Sequence, residues 1–314
     1  MKDSIWKLIN DNEKILVIAH ESPDGDAIGS SMAFYLALKN MHKVVDIVIP
    51  ELPSTFSFLE GTNDILTTSD KEYDLAIVVD CATKERIGQI NNEFDRCKRG
   101  IVIDHHISNA NYGDINYVEG DTASCCQVIY YLFKDWNIEI TKPIGEALLS
   151  GSLTDTNGFR NNNVDKNTFL MAADMVDYGI DIHKIYYLVL SLKTMPQYML
   201  MKMTLDRLEM FEDGKIAFSY ISHEDMENVG AKKGDHEGLV DIGRNIGGVE
   251  VSIFMREEDG YRISFRSNGK VNVNEIAKKF GGGGHMMAAG ARVNDNFKET
   301  KDKLIEETIK ELNK

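Results

Sequence analysis

Cysteine is scarce in this chain of 314 residues, with four at positions 81, 97, 125 and 126. None is spaced as C-x-x-C, and no zinc-ribbon pattern is present, so nothing points to a thiolate metal site. The adjacent Cys125 and Cys126 would point in different directions from a helix, and buried free thiols are the expectation. Long apolar runs are also missing. The opening MKDSIWKLINDNEK carries charge where a signal peptide needs an apolar core, and no run approaches the roughly 18 residues that span a bilayer. A cytoplasmic protein without a membrane partner is expected. Positive charge is in deficit, with 35 basic against 50 acidic residues and a net charge of −15. Such a chain repels a long polyanion, which argues against tracking along duplex nucleic acid. A small anionic substrate stays open if metals and a few local cations hold it.

What is present is ordinary for a globular protein: 43% hydrophobic and 27% charged residues, in a chain long enough for two domains. Strand and helix patterns alternate through the first part, as in a parallel sheet covered on both faces. Strands are expected at residues 14–19, 44–49, 74–79 and 101–103, and helices at 26–41, 122–136 and 144–153. Residues 165–209 read as helical, in pieces at 167–178, 182–190 and 196–210. The last piece is rich in methionine, read as flexible gap-filling side chains in a connecting helix. Beyond Gly214, strands are expected at 215–221, 249–255 and 261–266, and helices at 237–245, 273–280 and 297–312. The fold class is therefore α/β: a parallel-sheet domain over 1–190, a linker helix over 191–212 and a smaller α/β domain over 213–314.

Three of the expected strands run straight into polar residues: Ala19 into His20, Val79 into Asp80, and Ile103 into Asp104, His105 and His106. Open parallel sheets place ligand sites beyond the carboxyl ends of their strands. Asp24 and Asp26 follow His20 just before a helix, and Asp155 stands where a helix gives way to a Gly-containing loop. Each has an ordinary alternative. Asp24 or Asp26 could cap the helix, Asp155 could end one, and His105 or His106 could be partly buried histidines. Together, these imidazoles and carboxylates can supply the roughly six or seven ligands, one bridging, that two divalent ions require. The donor set suits manganese, with magnesium, cobalt or iron as alternatives and zinc less favoured. His42, His183, His223 and His236 fall outside these motifs and are read as surface or core residues.

The stretches AHESPDGDAIGS, VVDCA, Asp104-His105-His106 and SLTDTNGF resemble the DHH phosphoesterase superfamily. That superfamily includes RecJ-like exonucleases, family II pyrophosphatases and exopolyphosphatases. The later FRSNGKVNVNEIAKKFGGGGHMMAAG is similar to the DHH-associated domain of its nanoRNase branch. The resemblance implies one metal on His20, Asp24 and Asp80, and a second on Asp26, Asp80, His105 and Asp155. Asp80 would bridge them, Asp104 would orient its neighbouring ring, and His106 would face the scissile phosphate. It further implies a cytoplasmic exonuclease and phosphatase, hydrolysing nanoRNA and 3′-phosphoadenosine 5′-phosphate across an interdomain cleft. A cyclic or linear di-adenylate phosphodiesterase is the alternative, and a homodimer is a further expectation.

Arg266 and the run Gly281 to Gly284 before His285 are read as the second half of the site. Glycines let backbone N–H groups approach an anion, a following helix N-terminus would add positive potential, and Arg266 offers a fork. A helix C-cap with a linker is the alternative for the glycines. Substrate contacts are thus assigned to Arg266, Gly282, Gly283, Gly284 and His285. Arg160, just past Asp155, is a further phosphate candidate or a plain surface arginine.

Overall fold

The computed structural model describes residues 1–232 and 234–314. The chain divides into two compact units, Met1–Leu192 and Lys193–Lys314. The first unit opens with α1 (Lys2–Asp11), β1 (Lys14–Ile18), α2 (Gly25–Asn40), β2 (Val44–Val48) and β3 (Leu75–Val79). It continues with α3 (Asn91–Arg96), β4 (Arg99–Asp104), β5 (Ile115–Val118), α4 (Cys125–Asp135), α5 (Lys142–Asp155), α6 (Lys166–Asp177) and α7 (Ile182–Tyr186). Its strands form one parallel sheet in the order β2-β1-β3-β4-β5. Ile77 and Val79 face a core built on α2, α4 and α5, while Ala76 and Val78 pack with Ile87, Ile90 and Phe94 on the other side. Burial on both faces explains why β3 reads LAIVV without alternation.

With β2 on one side of β1 and β3 on the other, the strand order reverses at β1. The crevice outside the carboxyl ends of β1 and β3 is where such sheets bind ligands. Helix α2 is buried along most of its length and crosses α5 backbone to backbone. A Cβ on Gly29 would lie 2.5 Å from the Ala147 carbonyl oxygen, and one on Gly151 would lie 3.0 Å from Asp26 Cα. Only glycine permits this approach. It sets the first turn of α2, with Asp26, beside the last turn of α5, with Asp155.

The second unit comprises α8 (Met195–Asp206), β6 (Glu209–Phe211), β7 (Ile216–Ile221), α9 (His223–Asn228), α10 (Leu239–Arg244) and β8 (Val251–Glu258). It ends with β9 (Gly260–Ser267), α11 (Val273–Lys279), β10 (Gly283–Gly284), β11 (Ala288–Val293) and α12 (Phe297–Leu312). The sheet order is β10-β11-β9-β8-β7-β6, with β7 and β8 parallel and the other pairs antiparallel. Ile263 and Phe265 of β9 face the core of α11 and α12, so Arg262, Ser264 and Arg266 fall on the opposite face.

The structure departs from expectation at several elements. The strands β5, β6, β10 and β11 and the helices α1, α3 and α9 lie where the sequence pattern predicts no such element. The helix expected over 196–210 ends at Asp206, because Met210 pairs with Ala217 in the sheet. Helix α8 packs on β7 and α10 within the second unit. Of its methionines, Met201 and Met203 pack against Leu200 and Ile221, but Met195 is 70% exposed and fills no gap. Helix α7 stops at Tyr186 and continues as a π-helical turn over Tyr187–Ser191. Among the described residues no helix is long and apolar enough to cross a membrane.

Candidate metal centre

Four chain segments converge at the carboxyl edge of the first sheet. Strand β1 delivers His20, 1% exposed, one residue past Ala19, whose N–H bonds the Val48 carbonyl. Asp24 caps α2 through Oδ1, accepting from the N–H groups of Asp26 and Ala27 at 3.1 and 3.0 Å. The capping alternative therefore holds for Asp24, and it coexists with a place in the cluster. Asp26, in the first turn of α2, takes the N–H groups of Cys125 and Cys126 at the start of α4, at 2.6 and 3.0 Å. Strand β3 delivers Asp80, β4 delivers Asp104 with His105 and His106, and α5 ends on Asp155.

Donor atoms within 4.8 Å of one another form three groups: His20, Asp24 and Asp80; Asp26, His105 and Asp155; and Asp80, His105 and His106. Nε2 of His105 lies 3.5 Å from Asp80 Oδ1, 3.7 Å from Asp155 Oδ2 and 3.8 Å from Asp26 Oδ2. Both candidate ligand rings are held from behind. His20 Nδ1 lies 2.8 Å from the Glu21 carbonyl and His105 Nδ1 lies 3.1 Å from that of Thr122. With those protons donated to carbonyls, both Nε2 lone pairs are left for a cation.

The carboxylates are crowded beyond what hydrogen bonds can neutralise. Asp80 adopts a left-handed backbone (φ 53°), and its Oδ1 is buried without a hydrogen-bond partner. A buried carboxylate oxygen in that condition is costly unless an ion takes its lone pairs. Burial first, then the charges of Asp26, Asp24, Asp104 and Asp155, holds the Asp80 carboxyl well above the usual range. Burial also raises Asp26, and burial with Asp26 and Asp24 pushes Asp155 up to about 8. This donor set of imidazole nitrogen and carboxylate oxygen fits hard or borderline divalent cations, whose charge would keep all these groups ionised.

Asp104 holds a different ring from the one expected. Its Oδ1 receives the N–H groups of His105 and His106 and lies 2.7 Å from His106 Nδ1, while Asn109 donates to Oδ2 at 2.6 Å. The turn after β4 folds His106 back over this carboxylate, and His105 is oriented by Thr122 instead. Burial raises Asp104, but its bonds from His106 and Asn109 outweigh that and hold it low. The same bond raises His106, although burial opposes it. Burial lowers His20.

Sequence reasoning overlooked Arg86, Asn109 and Thr122. The spacing of Asn109, three residues past His106, is a readable turn signal. Arg86 carries none, since only the folded loop brings it to His20. Arg160 is exposed beyond α5 and belongs to none of the three groups.

In the second unit, Arg266 is opposite Ala288 in the β9–β11 register, and His285 closes a turn onto Ala288 with N···O 2.7 Å. Arg266 is half-buried, donates to the Phe265 carbonyl at 3.1 Å and loses proton affinity to burial. No helix follows the glycines, contrary to expectation. Gly281 (φ 70°) ends α11, and Gly283 and Gly284 pair with Gly290 and Ala289 as β10. The pull of β11 on these backbones decides their conformation.

The chain matches the DHH family, N-terminal domain, over residues 14–152 and the DHHA1 domain over residues 213–314. It is 30% identical over 304 residues to the bifunctional oligoribonuclease and PAP phosphatase NrnA of Thermus thermophilus, spanning 95% of this chain and 90% of that protein. To the Bacillus subtilis protein of the same name it is 27% identical over 302 residues, 93% of each. A solved exopolyphosphatase-related protein from Bacteroides fragilis superposes with a TM-score of 0.93 at 28% identity, over 98% of this chain and 95% of that one.

Proposed function

We propose a reaction for a chain that belongs to the DHH family and carries a DHHA1 domain: metal-dependent hydrolysis of very short oligoribonucleotides and of 3′-phosphoadenosine 5′-phosphate. The observation that carries it is the convergence of four motifs on one sheet edge, with Asp80 shared by two of the three donor groups. Near full-length similarity to proteins named oligoribonuclease and PAP phosphatase supports the substrate class.

His20, Asp24 and Asp80 would hold one ion and Asp26, Asp80, His105 and Asp155 the other, with manganese preferred. When bound, such ions polarise phosphoryl oxygens and make water acidic enough to attack near neutral pH. The chain's own groups do the rest. Glu21 and Thr122 carbonyls fix the tautomers of His20 and His105. Asp104, kept ionised, retains the proton on His106 Nδ1 and favours the protonated ring. His106 Nε2–H is then available to stabilise charge on the scissile phosphate or to protonate the leaving oxygen. Arg266, Gly282, Gly283, Gly284 and His285 would hold the substrate's other phosphate or sugar, and a two-anchor grip favours short substrates. Arg160 is a weaker candidate for a phosphate contact.

A side-by-side assay with manganese tests the reading, using di- and trinucleotide RNA, 3′-phosphoadenosine 5′-phosphate, cyclic di-adenylate and pyrophosphate. Turnover led by the RNA and 3′-phosphoadenosine 5′-phosphate is expected. Turnover led by cyclic di-adenylate would transfer the assignment to the phosphodiesterase alternative, and turnover of pyrophosphate alone would overturn both.

A further inference from the structure

Arg86 lies outside every motif named above, yet its position is tightly defined. Its carbonyl accepts the Glu21 N–H at 2.8 Å, joining the loop after β3 to the loop after β1. Two residues on, Gly88 has φ 68°, and a Cβ there would lie 2.3 Å from Glu21 Oε2 and 2.8 Å from Glu21 Cβ. The backbone around Arg86 is therefore anchored to the residue that follows His20. From this anchor the guanidinium reaches the cluster, with Nη2 3.1 Å from His20 Nε2 and 3.5 Å from Nδ1. Being nearly equidistant from the two ring nitrogens, Nη2 lies against the face of the imidazole, off the line of the Nε2 lone pair.

Arg86 is exposed and, among the described residues, forms no ion pair. That is unusual beside a group containing Asp24 and Asp80 in a chain of net charge −15. The Nε2 lone pair therefore stays open to a cation, and the anchored guanidinium beside it still has no anionic acceptor among the described residues. A phosphoryl oxygen presents the matching anionic, two-pronged acceptor. We propose that Arg86 is a catalytic residue that grips a non-bridging oxygen of the scissile phosphate; this rests on the phosphoester reading above. Its role is to bind and neutralise the phosphate as charge develops, not to carry a proton.

Arg86→Gln and Arg86→Lys test this, because the anchoring contacts are made by backbone and by Glu21 and should survive; equal melting curves verify it. Manganese binding is measured calorimetrically without substrate, then binding of AMP, the reaction product, to the manganese-loaded protein, then kcat and KM. For Arg86→Gln we expect manganese binding undiminished or tighter and AMP binding weakened at least tenfold. We also expect kcat/KM lowered about 100-fold, the scale of a lost transition-state donor, with partial recovery in Arg86→Lys. Manganese affinity falling in step with activity would reduce Arg86 to a support for His20, and kcat/KM within threefold of the unaltered protein would remove it from the site. If the unaltered protein neither binds AMP nor cleaves any phosphate ester, the phosphoester reading fails and this one falls with it.

Discussion

Replacing Asp155 with asparagine should have opposite effects with and without metal. In the metal-free protein the Asp155 carboxyl is pushed from 3.8 to about 8 by burial and by Asp26 and Asp24. A folded-state carboxyl that holds its proton more tightly than the unfolded one costs stability once it must ionise. That cost is absent below about pH 4, grows as pH rises and is complete above about pH 8. About four units at roughly 1.4 kcal/mol each set a ceiling of 5–6 kcal/mol. The side chain is 29% exposed and shares its repulsion with Asp26 and Asp80, so solvent screening leaves about 2 kcal/mol. For a unit of this size that is about 4–8 °C in Tm. Asp155→Asn, melted in chelator at pH 8, should therefore exceed the unaltered protein by about that much, and most of the gain should be lost by pH 4.5. Added manganese should raise the Tm of the unaltered protein more than that of the variant. Equal Tm values in chelator at pH 8, or equal stabilisation by manganese, would refute the crowding of carboxylates as the reason a cation binds.

Asp80→Ala should abolish turnover, because one side chain serves two donor groups; retention of a tenth of the manganese-dependent rate would exclude the shared role. Arg266→Ala should raise KM for a dinucleotide with a smaller effect on kcat, and an unchanged KM would remove it from the substrate site. Gly29→Ala puts a methyl group against the Ala147 carbonyl and should cost about 1–3 kcal/mol, with a fall in activity as Asp26 and Asp155 separate; melting and turnover read both. Asp104→Asn should lower the His106 pKa toward its ordinary 6.5, followed by NMR titration of the metal-free protein. The stability that His106 draws from Asp104 is present below about pH 6.5 and disappears as pH rises through its elevated folded pKa, so the variant should lose more stability at pH 6 than at pH 9.

The parallel sheet was legible because strands such as LAIVV are buried on both faces and end in chemistry-bearing residues. His20, Asp80 and His105 could be singled out for the same reason, since residue types that rarely follow buried strands recur at their ends. Asp24, Asp26 and Asp155, by contrast, stand at helix ends and stood out only in company with them. Short elements were not. Strand β6 exists because the sheet recruits Met210 from a helical text, and β10 because glycines leave room for β11 to approach. Nor could spacing show that Asp104 turns to His106 rather than His105, or that Arg86 meets His20, since both depend on how loops fold over one another.

The proposed reaction depends on a single two-ion centre built from side chains on four segments. Metal content and calorimetric titration of the manganese-loaded protein test it most directly. Two ions per chain are predicted, with His20→Ala retaining one of them and Asp80→Ala binding neither tightly. One ion per chain in the unaltered protein, or two that survive the Asp80 substitution, would contradict it.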